Sequence, residues 1–371
     1  MPVPAQKFRL CSHCATREGG DPSFEAAGEA DCYICGGLFE KIPATVGRAV
    51  KSVRRHEFRT FAVGITLPEG VQEREDELRS SLRLKGNETV KTQAAKLFAR
   101  QVSSRLGKPI DKMRPDLTIL ASMADGTVSV SSRPIFYYGR YSKRPGIAQK
   151  REYCEHCSGR GCPKCEGTGY DKKLSVEKLL RDRLSAFCGS EKLIFTWIGS
   201  EDEESRVHPP GRPFVAELKN PVRRRLPKSF VGRSRGNQVA VKNGRLLPSR
   251  PLGLPPFRFR TVIRCVASGK IDAEGLKELK KAFRRTMVRF DRPHGKPATK
   301  TVYSATGRAR GRNLTVDAVM DGGLPVKRFV SGELVTPSVS EVLKTEVRCR
   351  SFDICGVEEK GKFSYGEITR V

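Results

Sequence analysis

Eight of the twelve cysteines in this 371-residue chain stand in four Cys-x-x-Cys pairs, and that spacing restricts the folds open to it more than any other feature. Cys11 and Cys14 are answered by Cys32 and Cys35; Cys154 and Cys157 are followed at once by Cys162 and Cys165. Each pair shapes a knuckle whose thiolates point to one side, and two knuckles close a tetrahedron around one ion. Disulfides fit less well, because the chain is large and basic and its first seven residues contain no apolar stretch of the kind that directs secretion. The expectation is structural zinc, one or two ions, with every position filled by sulfur and none open for chemistry. Four clustered thiolates in the second group also suit an iron-sulfur cluster. That group repeats Cys-x-x-Cys-x-Gly-x-Gly, whose glycines let the backbone turn and aim amides at sulfur. His13 and His156 sit inside knuckles and read as loop residues. Cys188, Cys265, Cys349 and Cys355 are isolated and read as small packed side chains.

The 70 Lys and Arg residues outnumber 41 Asp and Glu, a formal charge of +29. A compact body of that charge repels itself, so a polyanionic partner is expected. With 37% hydrophobic residues the chain can fill ordinary cores, and its length suits two or three domains. Apolar runs such as 193–198 fall far short of the roughly 20 residues that span a bilayer. Membrane insertion is therefore not expected, and a cytoplasmic location is.

Residues 45–132 alternate strand-like and helix-like stretches, an α/β module. Residues 61–67 read as a strand, as do 116–120; between them Val90, Ala94, Phe98 and Val102 mark a helix, with Asn87 as its cap. Lys91, Lys96, Arg100, Arg105 and Lys108 lie on or near that helix, facing either RNA or plain solvent. Further on, Leu180, Leu184 and Phe187 mark a second amphipathic helix, 193–198 a strand, and the alternation of Phe214, Ala216 and Leu218 another. From Lys219 to Lys270 there are 14 Lys and Arg residues and no acid, a stretch fit for tracking phosphates. Its Gly/Ser/Pro-rich part, 232–256, also reads as a flexible basic insertion. A helix is expected over 272–285 on Leu276, Leu279 and Phe283, and residues 307–312 offer another backbone contact.

A set of segments then becomes recognisable: Phe136 to Lys143, the helix start at Ser175 to Glu177, Gly199 to Arg206, Gly211 to Pro221, and Gly323 to Gly332. Together they resemble the archaeal and eukaryotic tRNA pseudouridine synthase that modifies positions 54 and 55 of the T arm. The Gly-Arg-Pro-Phe segment with Arg212 and the Gly-Arg-Tyr-x-Lys segment are the most specific pieces. The resemblance covers most of the chain. It implies an α+β multidomain protein: a zinc-binding module over 1–44, a THUMP-containing RNA-binding domain over 45–145, and a synthase domain over 146–371 with a mixed, largely antiparallel sheet.

The resemblance also implies a site. Its catalytic aspartate carries over onto Asp202; composition alone would make 201–204 a solvated acidic turn. Lys327 is placed as the cation beside that carboxylate and Val326 near the base, with Arg212 among the substrate contacts. Val262 stands near the place of the family's base-packing tyrosine, Pro325 where an aromatic is common, and Ser200 where the family has arginine; Tyr303 is a candidate ring. The implied partner is the tRNA T arm, with no small-molecule substrate, no catalytic cofactor and a monomeric chain. The competing expectation is a non-catalytic, zinc-stabilised RNA-binding protein that kept the scaffold; a third, a chaperone-like knuckle module, rests on the cysteine repeat alone.

Overall fold

A computed structural model of the chain describes residues 7–84, 88–190, 192–292 and 295–365. It divides into two compact units, one of residues 1–134 with 219–224 and one of 135–218 with 225–371.

In the first unit the cysteine-bearing segment and the α/β module share one hydrophobic core, running from Phe8, Ile34 and Leu38 through Val46 and Phe98 to Ile119. A boundary at 44/45 would cut the helix Ile42–Val53, whose buried Ile42, Val46, Ala49 and Val53 form one stripe. The three-stranded sheet pairs Phe61–Thr66 in parallel with Leu117–Ser122, which pairs antiparallel with Val128–Ser132. Val90–Leu106 is the expected helix, buried on Val90, Ala94, Phe98 and Val102. Asn87 lies outside the described residues; the Thr89 side chain caps, accepting from the Thr92 amide. Arg17 and Arg79 meet Glu18 and Glu75 in a buried ionic cluster with contacts of 2.8–3.2 Å, and Glu75 accepts the Val90 amide at 2.8 Å. This cluster ties the cysteine module to the neighbouring helices, so the two behave as one packed body rather than two.

The second unit is built on an 11-stranded sheet. Its order is Val335–Thr336, Thr286–Arg292, Gly295–Arg310, Asn313–Asp321, Phe257–Ala267, Val347–Glu359, Val207–Lys219, Ile135–Lys143, Asn237–Leu247 and Phe230–Ser234, with Lys192–Trp197 also paired to Val207–Lys219. Most neighbours run antiparallel, and Ile354 meets Val207 in parallel. The strand Ile135–Lys143 belongs here, so this body starts about ten residues ahead of the expected 146. Helices Val176–Cys188 and Ala273–Ala282 cover the sheet, capped by Ser175 and by Asp272. The acid-free stretch is not a loose insertion: Asn237–Leu247 pairs with strands on both sides, burying Val239 and Val241 and leaving Lys242 and Arg245 outward, and Arg233 is exposed on the neighbouring strand Phe230–Ser234. Alternation places those basic side chains on the wet face of a sheet that its apolar residues anchor.

Candidate active site and metal centres

The acidic loop 199–204 follows the strand Lys192–Trp197, and its two central carboxylates part ways. Asp202 turns to the open side, where Lys327 Nζ lies 2.7 Å from its Oδ2; the two side chains are 43% and 59% exposed. Lys327 is brought there by the short helix Val326–Ser331. Val326, Phe329 and Val330 are its buried stripe, Phe329 packing edge-on to Phe283, and that periodicity leaves Lys327 facing out. Pro325 stands at the N-cap, where its lack of an N–H costs nothing. The hydrogen bond to Asp202 raises the Lys327 pKa above its ordinary 10.5, so the ammonium stays charged.

Glu201 turns inward and is 8% exposed. Tyr141 donates to its Oε1 at 2.5 Å, Gln149 Nε2 to its Oε2 at 3.1 Å, and Arg212 Nη1 lies 3.0 Å from Oε2 as an ionic contact. Tyr141 and Arg212 are partners across the strands Ile135–Lys143 and Val207–Lys219, which is why both reach the same carboxylate. Burial raises the Glu201 pKa, opposed by Arg212 and by the tyrosine hydroxyl. Arg212, 1% exposed, thus lies under the loop rather than among groups a substrate can touch: its guanidinium lies beside Gly199 and its Nε meets no acceptor. Gly199 has φ of +84°, and a Cβ there would sit 3.1 Å from that guanidinium, so both conformation and space call for glycine.

Lys143 completes the support. It is 3% exposed, and its ammonium donates to the carbonyls of Ile147 at 2.7 Å, Asp202 at 2.9 Å and Glu203 at 3.0 Å. Burial lowers its pKa from 10.5, and the acidic loop pulls the other way, Glu201 foremost. Sequence reading assigned no role to Glu201, Lys143, Gln149 or Tyr141. One signal was there: Tyr137, Tyr141 and Lys143 share the inward phase of a strand, and a lysine in that phase needs acceptors.

Val326 is 7% exposed and adjoins Lys327. Val262 lines an open cleft of 820 Å³ with Glu204, Arg206, His208, Arg264, Arg350 and Asp353. Asp353 is a fixed charge of that cleft: burial pushes its pKa up, but Arg264 at 2.7 Å and the Arg206 amide hold it below 3.8. Tyr303 is committed elsewhere, its hydroxyl to Asp321 at 2.9 Å and to Lys360. Of the isolated cysteines, Cys188 and Cys265 are buried as expected, whereas Cys349 and Cys355 are half-buried. Cys355 lines the cleft; burial raises the Cys349 thiol to about 11, with Lys327 and Asp202 acting on it in opposite senses. Cys349 packs against the core of this unit beside Val347 and opposite Cys265, as expected of a packed side chain, whereas Cys355 opens onto the cleft.

Both cysteine groups gather their four sulfurs within 4.8 Å of one another. Bonds of about 2.3 Å to a tetrahedral zinc imply sulfur separations of about 3.8 Å. The observed 3.7 Å between Cys11 and Cys35, 3.9 Å between Cys154 and Cys162, 3.8 Å between Cys157 and Cys165 and 3.7 Å between Cys162 and Cys165 match that edge. The repeat glycines act as expected: Gly161 N–H donates to Cys157 Sγ at 3.2 Å and Gly169 N–H to Cys165 Sγ at 3.3 Å. A Cβ on Gly169 would lie 2.4 Å from the Gly159 carbonyl, so the two knuckles approach through glycine alone. His13 stacks on Phe39 and lies 3.5 Å from Glu29, apart from the sulfurs.

These features define an α+β protein with a small α/β module, a large mixed sheet and two four-cysteine centres able to hold metal. A family model described as the archaeal Pus10 THUMP domain matches residues 46–122. The protein named tRNA pseudouridine synthase Pus10 of Cenarchaeum symbiosum (strain A) is 34% identical over 367 residues, covering 94% of this chain and 90% of that one. Its namesake in Nitrosopumilus maritimus (strain SCM1) is 29% identical over 370 residues, 96% of each chain. The chain belongs to the tRNA pseudouridine synthase Pus10 family. Among solved structures, the archaeal box H/ACA sRNP Nop10-Cbf5 complex matches 49% of this chain and 43% of its own, with a TM-score of 0.29 and 11% identity. Among the described residues no helix is long and apolar enough to cross a membrane.

Proposed function

We propose that the chain isomerises uridine to pseudouridine at positions 54 and 55 of the tRNA T arm, with Asp202 as the carboxylate that acts on the target nucleotide. The observation that carries this reading is the 2.7 Å Asp202–Lys327 pair, placed on the open side of a loop whose other side is fixed by Glu201, Arg212 and Lys143. Isomerisation breaks the bond from ribose to N1, turns the uracil and rejoins it through C5, which gives up its proton while N1 ends protonated, so the two sides balance. Substrate and product are isomers, so the reaction has no net oxidation or reduction, and the proposed route works through the carboxylate without a catalytic cofactor. An ionised Asp202 serves either route, attack on the anomeric carbon or removal of the ribose 2′ proton. Lys327, 2.7 Å away, offers that carboxylate a cationic partner when the extruded nucleotide strips water from it. Val326 and Val262 supply apolar surface for the base.

The two cysteine groups hold zinc and maintain the fold, and the chain works as a monomer. Residues 1–134 grip the RNA and 135–371 carry the chemistry, a division that shifts the later expected boundary from 146 to 135. The outward Arg233, Lys242 and Arg245 follow the phosphate backbone, so affinity falls steeply with added salt. The test is incubation of the purified chain with an unmodified tRNA transcript and mapping of pseudouridine along the product. Modification at 54 and 55 that disappears in Asp202→Asn is the expected result. A protein that binds tRNA and never isomerises it is the non-catalytic alternative.

A further inference from the structure

The second cysteine ribbon carries side chains that holding a metal does not require. Tyr153 and Tyr170 face each other across an isolated bridge, their rings within 21° of parallel and 5.3 Å apart. The Arg151 guanidinium lies over the Tyr170 ring, 3.7 Å from its centre, and Glu177 holds it there at 3.2 Å. Yet Tyr153 is 65% exposed, and the ribbon's own buried cluster consists of cysteines alone. Tyr153 lies against Gly159 and Tyr170 yet keeps most of its surface in water, on a scaffold stiffened by four sulfurs, and does not help to fill a core. Tyr170 also lines an open cavity of 480 Å³ with His156, Lys164 and Lys172. Residues 150–173 contain six Lys and Arg against four Asp and Glu, a modest positive excess around the rings.

We propose that Tyr153, Tyr170 and Arg151 form a stacking platform for an unpaired tRNA base other than the target uridine. Unstacked bases are held by aromatic and guanidinium planes, which accept any base because each has a π face. The parallel rings, the guanidinium and the surrounding cations suit a nucleotide, whose phosphate the cations attract. A protein segment would need an apolar groove, and the ribbon's exposed apolar surface is a single ring. The proposal rests on tRNA being the substrate and is independent of which carboxylate performs the reaction.

The test measures affinity for an unmodified tRNA transcript by fluorescence anisotropy across a salt series, with bound metal and pseudouridine yield determined on the same preparations. Tyr153→Ala should weaken binding by between about fivefold and a hundredfold, the range for one base–aromatic stack. The slope of log affinity against log salt should stay unchanged, since no phosphate contact is lost. Tyr153→Leu, which keeps apolar bulk without a π face, should match the alanine variant, and Tyr153→Phe should match wild type. All should retain their metal and form pseudouridine at the wild-type rate once saturated with tRNA. Wild-type affinity in the alanine or the leucine variant overturns the platform, as does loss of a protein partner with tRNA affinity intact. A wild type that makes no pseudouridine while its tRNA affinity still depends on Tyr153 sinks the enzymatic reading and leaves the platform standing.

Discussion

Glu201 and Asp202 are consecutive carboxylates, yet the first is 8% exposed and ringed by Tyr141, Gln149 and Arg212, while the second has a side chain 43% exposed and meets a single lysine. The difference separates foundation from working end. A buried acid must be paired and hydrogen-bonded to be tolerated at all, and once satisfied it fixes its surroundings. An exposed ion pair contributes little to stability, because water screens it and two long side chains lose freedom in forming it. The Asp202–Lys327 contact is thus a poor structural device and a good one for presenting charge to a ligand.

That contrast can be broken from either side. The largest stability effect is expected from Arg212→Met, which leaves Glu201 buried without its cation; a loss of about 3–5 kcal/mol should appear as a lowered denaturant midpoint. Lys143→Met should cost less, about 1–3 kcal/mol. The Asp202 and Glu203 carbonyls keep second donors in the Ser205 and Gly146 amides, so only part of the satisfaction is lost. This variant should slow isomerisation at saturating tRNA while leaving tRNA affinity unchanged, a split read by single-turnover kinetics. Lys327→Met should shift stability by less than about 1 kcal/mol while slowing the reaction, and an equal loss in both would contradict the division. The smallest effect concerns pH. Burial raises the Glu201 pKa, so its contribution to stability is fully present below the ordinary 4.5 and is lost as pH rises through the folded value. Glu201→Gln removes that titration, and its stability curve against pH should be flatter than wild type in that window.

Much of the fold was legible because it is periodic. The stripe Val90, Ala94, Phe98 and Val102 became the helix Val90–Leu106, and Phe214, Ala216 and Leu218 became the inner face of a strand. The cysteine groups were legible because metal geometry dictates spacing, and their sulfurs came together in the expected fours. What escaped reading depends on pairing between distant segments. Nothing local shows that Tyr141 lies opposite Arg212, or that both converge on Glu201. For the same reason 232–256 read as loose: the strand Asn237–Leu247 exists because it has partners on both sides, and its Gly244 and basic residues conceal the alternation. The helix Ile42–Val53 was missed at a boundary that composition suggested and packing does not respect.

The central claim is that the half-exposed carboxylate does the chemistry while its buried neighbour only holds it in place. Pseudouridine formation and tRNA binding measured together in Asp202→Asn test this most directly. The account predicts that isomerisation falls by at least about 10²–10⁴-fold, with tRNA affinity and denaturant midpoint close to wild type. An Asp202→Asn protein that still modifies tRNA at the wild-type rate would contradict it.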